Sequence, residues 1–67
     1  MLKLMTVDPR DVKQYDIIYY LERDQTVWGI NIVDHSEHVV FTFYPHGRTV
    51  DRLTIPFNHK VYIKRED

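Results

Sequence analysis

The segment Asp34-His35-Ser36-Glu37-His38 holds residue types that ligate metals or move protons near neutral pH. A metal centre needs three or four such groups converging within a defined second shell. Here the two histidines are three positions apart, a spacing that shares a face on a helix but only flanks a turn between strands. No distant third ligand is identifiable, so the segment reads as a polar hairpin turn and no metal is expected. His46 and His59 stand alone on expected loops and read as surface residues. Nucleophilic catalysis has less material still: there is no cysteine, and the one serine, Ser36, lies in that turn. The only glycines, Gly29 and Gly47, are far apart and form no phosphate-cradling loop. Neither enzymatic activity nor a cofactor is expected.

The chemistry that remains is recognition. Tyr44, Arg48, Arg52, Tyr62 and Lys64 are the candidate binding residues. Tyrosine and arginine concentrate binding energy at protein interfaces. The same types stack on bases and neutralise phosphates when a nucleic-acid strand crosses a small barrel. A blander account has Tyr20, Tyr44 and Tyr62 merely covering the second side of a thin sheet. The leading expectation is a non-enzymatic binding module, a small accessory protein that docks on a protein partner or on a second copy of itself. The alternative is a nucleic-acid-binding barrel using Arg48, Arg52, Lys60, Lys64 and Arg65.

Charge bears on that choice. The net charge is -1, but the basic residues of positions 38–65 face only Asp51 in that half, while acidic residues dominate positions 1–37. A basic half permits nucleic acid, yet a domain that lives on phosphate shows a clearer positive balance. An ordinary solvated strand surface also accounts for these lysines and arginines.

With 67 residues the chain is one domain, and a domain this small buries only about 60% of the surface its unfolded chain exposes. Partner binding or self-association would add to a modest core. The absence of cysteine fits a reducing cytosol, and a cytoplasmic location is the expectation. No apolar run approaches the roughly 20 residues of a membrane span, and no signal peptide or membrane association is expected.

The elements that must position these residues are strands. Residues 2–7 alternate and begin the first. Asp8-Pro9-Arg10-Asp11 carries a capping aspartate and a proline at the first helical position, which predicts a short helical turn near residues 9–14. Asp16-Ile17-Ile18-Tyr19-Tyr20-Leu21 is β-branched and aromatic. A polar loop at 22–25 would set Leu21 opposite Thr26, Tyr19 opposite Trp28 and Ile17 opposite Ile30, a set of apolar cross-strand pairs. The next loop, 34–37, would set Ile32 opposite Val39, Ile30 opposite Phe41 and Trp28 opposite Phe43. In the third hairpin, Phe41 opposite Leu53 and Val39 opposite Ile55 make an apolar face. Val40, Thr42 and Tyr44 then meet Thr54, Arg52 and Val50 on the other face, and Arg48 sits at the tip. Gly29, inside a strand, marks a bulge. Pro56 interrupts the ladder, with a 3₁₀ turn near 56–58, and Val61 and Ile63 face inward on the last strand. The expected core is Leu4, Ile17, Tyr19, Trp28, Ile30, Ile32, Val39, Phe41, Phe43, Leu53, Ile55, Val61 and Ile63.

This layout predicts an all-β fold, a small five- to six-stranded barrel or meander. The meander, with Pro56-Phe57-Asn58 before the last strand, resembles the SH3-like small barrels. The lead-in at 8–18 is similar to that of many such barrels from phages and bacteria, which place Gly-Asp before an apolar pair. Here Tyr15 stands where that pattern has its glycine. Peptide-binding members of the family use an acidic first loop and an aromatic groove. Glu22 and Asp24 supply a weakly acidic loop, but the signature aromatic motif is missing, so polyproline binding is not implied. An aromatic cage of the Tudor type would require clustered aromatics, which no single loop of this chain carries.

Overall fold

In the computed structural model, which describes residues 1–44 and 51–66, the chain is all-β. Six strands, β1 (Leu2–Val7), β2 (Ile17–Tyr20), β3 (Arg23–Val33), β4 (His38–Phe43), β5 (Arg52–Pro56) and β6 (Val61–Glu66), form one antiparallel sheet in the order β1-β6-β2-β3-β4-β5. The expected barrel closure is not made. Among the described residues β1 and β5 are the two edges of an open sheet. β6 lies between β1 and β2, which ties the two ends of the chain together and buries Val61 and Ile63.

The segment after β1 forms as its residues dictate, though more briefly than the expected 9–14. Pro9–Asp11 is a single 3₁₀ turn, and the Asp8 side chain caps it by accepting from the Arg10 amide at 2.9 Å. A second 3₁₀ turn, Asp34–Ser36, joins β3 to β4 and ends at Glu37 in the left-handed region (φ 53°). The 3₁₀ turn expected near 56–58 is instead the end of β5 followed by one hydrogen-bonded turn, closed by the His59 amide on the Pro56 carbonyl at 3.1 Å.

The β4–β5 hairpin has the expected register, Phe41 opposite Leu53 and Val39 opposite Ile55. Val39, Phe41 and Phe43 against Leu53 and Ile55 outweigh the Val40 of the other face, which selects the inner one. Ile30 opposite Phe41 and Ile32 opposite Val39 also stand as expected.

The β2–β3 hairpin does not. Ile17 pairs with Thr26 and Tyr20 with Arg23, four residues from the expected register. The turn is only Leu21-Glu22, both with positive φ (51° and 61°), as the central pair of a type I′ turn requires. Neither residue is the glycine or asparagine that normally announces such a turn. The hairpin also turns its other face inward: Ile18 and Val27 are buried, and Trp28 is 46% exposed. The cause is a bulge between Val27 and Gly29, where Val27 faces Phe43 and Gly29 faces Thr42. Trp28 is the extra residue. One inserted residue changes the phase of the pleat, so Val27 points in before the bulge and Ile30 after it.

The core is therefore Val12, Ile18, Val27, Val39, Phe41, Phe43, Ile55, Val61 and Ile63, with Met5, Val7, Ile30, Leu53 and Phe57 packed against it. Of the expected core, Leu4 and Trp28 point outward and Ile32 lies at the rim, all exposed, while Ile17 and Tyr19 are half-buried. In β1 the register sets Met5 opposite Ile63 and Val7 opposite Val61, so Leu4, one position out of phase, faces solvent.

Candidate functional site

Three separate backbone devices bring three aromatic rings together on the surface. The first is a left-handed residue. Tyr15 has φ 74°. It is the third residue of a four-residue turn closed by the Asp16 amide on the Lys13 carbonyl at 3.1 Å. That is where a type II turn requires positive φ and normally takes glycine. A side chain there costs on the order of 1 kcal/mol, and such strain persists only where the surroundings over-determine it. Here they do: the Tyr15 amide donates to the Val27 carbonyl at 2.8 Å, and the Val27 amide donates to the Asp16 carbonyl at 2.8 Å.

The Asp16 carboxylate completes the clamp. It accepts from the Lys13 amide at 2.8 Å and from Arg65 Nε and Nη2 at 3.1 and 2.7 Å, while Arg65 also reaches the Asp11 carbonyl. Burial alone would raise the pKa of Asp16. The bonds from Arg65 and the Lys13 amide outweigh it and hold the carboxyl below the ordinary aspartate value.

The second device is the bulge, which aims Trp28 outward. The third is the end of β4, where Tyr44 follows the buried Phe43 and its amide donates to the Thr26 carbonyl at 3.0 Å. The Trp28 and Tyr44 ring centroids lie 4.9 Å apart, Tyr15 and Tyr44 stack at 6.1 Å, and Tyr15 meets Trp28 edge-on at 6.2 Å. All three rings remain exposed, Tyr15 at 59%, Trp28 at 46% and Tyr44 at 38%. Loss of water around the Tyr44 hydroxyl, and then the neighbouring Tyr15 hydroxyl, push its pKa above the ordinary tyrosine value.

The rings touch one another, so they form a platform with a closed surface rather than a cage around a void. Arg52 lies opposite Thr42, two residues before Tyr44 on the same face, and so flanks the platform. Gly29 opposes Thr42 beside Trp28 and adds no side chain above that face. A flat aromatic surface with an arginine at its side can stack on a planar group or seat an apolar side chain.

The candidate residues named from sequence are thus divided. Tyr44 joins the platform and Arg52 borders it, while Arg48 lies outside the described residues. Tyr62 and Lys64 are on β6, separated from β4 by β2 and β3. Lys64 is engaged there, 2.9 Å from Asp24 and over the Tyr19 ring at 5.1 Å. Tyr15 and Trp28 are the residues sequence reasoning missed. The signal for Tyr15 was present: a tyrosine standing where the resemblance expects a glycine. Trp28 was hidden because the bulge at Gly29, though expected, was not carried through to the faces of the residues before it.

At the opposite end of β4 an open cleft of about 500 Å³ is lined by Arg10, Ser36, Glu37, Pro56, Phe57 and Asn58. Its one cation is already used. Arg10 binds Asp8 through Nε and Nη2, both at 2.9 Å, and stacks on the Phe57 ring at 4.5 Å. Those bonds hold the Asp8 carboxyl well below the usual aspartate range. His35 lies inside the Asp34–Ser36 turn and His38 begins β4, and no metal-holding group of three His, Asp or Glu side chains forms among the described residues. No helix there is long and apolar enough to cross a membrane.

Compared with known proteins, the chain matches no family model, no curated protein and no solved structure.

Proposed function

We propose that the protein is a non-enzymatic binding module that docks on a protein partner through the Tyr15–Trp28–Tyr44 platform, with Arg52 at its border. The observation that carries this reading is the exposed contact of Trp28 with Tyr44 at 4.9 Å, reinforced by Tyr15. Tryptophan, tyrosine and arginine are the types that dominate interface energetics, and the two aromatic types supply a large rigid area for few rotatable bonds. A strained tyrosine and a bulged tryptophan, converging from different elements, suit a recognition surface better than an incidental one. The SH3-like reading of the sheet belongs to the same proposal. It rests on the β2–β5 meander and on the turn that precedes β6.

A nucleic-acid reading draws on the same platform, with Arg52 to meet a phosphate. It is the weaker one because Arg10, Lys64 and Arg65 are committed to Asp8, Asp24 and Asp16. Affinity for phosphate backbones rests on cations that can exchange counterions for phosphates.

Affinity capture from the native host tests the proposal, with Trp28→Ser and Tyr44→Ser set against Thr54→Ser, a control on the same hairpin. A partner held by the wild type and the control but released by both platform variants is the expected result. Equal capture by all four proteins would refute it. Retention of RNA at low salt, lost steeply as salt rises, would favour the second reading.

A further inference from the structure

We propose that β1 is a self-association edge, through which two copies pair antiparallel about a two-fold axis at Leu4. This goes beyond the platform and rests on a different surface. Every second residue of an edge strand leaves its N–H and C=O unpaired, and folded proteins guard such edges with proline, charge, bulges or short length. The two edges of this sheet differ in that respect. β5 carries Arg52 and ends at Pro56, whose ring removes a donor, and the next amide, Phe57, is spent on the Glu37 carbonyl at 2.9 Å. β1 has six residues, no proline and no bulge, and Lys3 is its one charged residue. Leu2 and Leu4 on it are 47% and 50% exposed.

The β1 sequence selects the occupant. Pairing that keeps inner face beside inner face sets residues of equal parity opposite each other. Centred on Lys3, the ladder would oppose two like charges, which is destabilising. Centred on Met5, it would leave Leu2 beyond the strand of the second copy. Centred on Leu4, it sets Leu4 against Leu4, Leu2 against Thr6 and Lys3 against Met5 of the second copy, with no like charges opposed. A two-fold ladder closes on itself, whereas pairing β1 with the guarded β5 of another copy would be open-ended. The outer face of β1 continues onto β6, where Thr6 lies opposite Tyr62, so dimerisation covers apolar surface that one copy leaves exposed.

Leu4 faces Lys64 within its own sheet. Leu4→Glu is tolerated within one copy, where position 4 is half exposed, but it opposes two carboxylates across the proposed axis. Sedimentation velocity over a concentration series should show a reversible dimer of the wild type. Leu4→Glu should weaken it about tenfold or more. An equimolar mixture of Leu4→Glu and Leu4→Lys should restore it as a heterodimer. The chain has no cysteine, so Leu4→Cys provides a single cross-linking probe, and mild oxidation should yield a disulfide-linked dimer. Tyr62→Cys, exposed on the same face but away from the edge, should not. A strictly monomeric wild type, unaltered association of Leu4→Glu, or equal cross-linking of the two cysteine variants would each overturn the proposal. Association abolished by Trp28→Ser and unaffected by Leu4→Glu would also overturn it, placing the self-interface on the platform and leaving the proposed function standing.

Discussion

β3 does two different jobs on either side of Trp28. Residues 23–26 pair with β2 across a polar seam in which Tyr19 meets Asp24 and Asp24 holds Lys64, and the buried Val27, its amide on the Asp16 carbonyl, anchors the end of that seam. Residues 29–33 pair with β4 across an apolar seam in which Ile30 meets Phe41. The first half is located by a tight turn, ion pairs and backbone clamps, and the second by side-chain packing. Where the two regimes meet, the pleat changes phase, and the side chain left over at the joint is the exposed tryptophan of the platform. A one-residue irregularity thus reconciles two incompatible registers and, in the same step, creates a surface.

If packing locates the second half, truncating its centre should cost most. Phe41 is fully buried, and Phe41→Ala should destabilise the fold by about 3–5 kcal/mol, as large-to-small core changes do. In a domain whose total stability is only about 5–15 kcal/mol, urea denaturation should show a variant near its limit. Trp28→Ala, although it removes a larger side chain, should cost far less because the ring is half exposed. Equal losses would mean that the platform is part of the core, and the contrast between the halves would fail.

Clamping on the other side can be removed next. Asp16 is 12% exposed and accepts three hydrogen bonds, so Asp16→Ala should cost about 2 kcal/mol, in the range for bonds to charged groups. Its pH dependence has a definite sign. The folded-state pKa lies below the unfolded value of 3.8, so the wild type's advantage is fully present above that pH and declines as pH falls through the folded value. Denaturation of the wild type and Asp16→Asn at several pH values checks this. A difference that grows on acidification would show that Arg65 does not hold Asp16 as a carboxylate.

The same division explains how much could be read from the residues. Val39, Phe41 and Phe43, and Leu53 and Ile55, recur at every second position and outweigh Val40 on the other face, so strand, register and inner face all follow from the pattern. Ile17-Ile18-Tyr19-Tyr20-Leu21 has no alternation, and an unbroken apolar run cannot say which face is buried. The register there is set by a turn of Leu21 and Glu22, two residues whose side chains give no hint of positive φ. The open sheet was hidden for a related reason: closure depends on how far the strands coil, which side-chain pattern does not encode. At the site, Tyr44 and Arg52 were accessible because they belong to the alternating hairpin. Tyr15 and Trp28 were not, because each owes its position to a backbone exception.

The Leu21-Glu22 turn gives a smaller test, of opposite sign. Asn and Gly adopt its two left-handed conformations with little strain, so the double change Leu21→Asn and Glu22→Gly should stabilise the hairpin by about 1 kcal/mol. Removing the 76%-exposed Leu21 costs little packing. No gain in thermal midpoint would imply that a different turn sets the register.

Tyr15 supplies the smallest expected change in stability and the sharpest separation of fold from function. Tyr15→Gly relieves the strain at φ 74° but removes two aromatic contacts, each worth about 0.5–1.5 kcal/mol. The two effects oppose each other, so the net change should be within about 1 kcal/mol of zero. Recognition has no such compensation: the platform loses a wall, and Trp28 loses its edge-on neighbour. As the only tryptophan, Trp28 reports this directly. Its emission should shift to longer wavelength and become more quenchable by acrylamide, while the unfolding midpoint hardly moves and partner capture falls. If capture survives at wild-type level, the left-handed tyrosine is only a tolerated substitute for glycine, and the recognition surface contracts to Trp28, Tyr44 and Arg52.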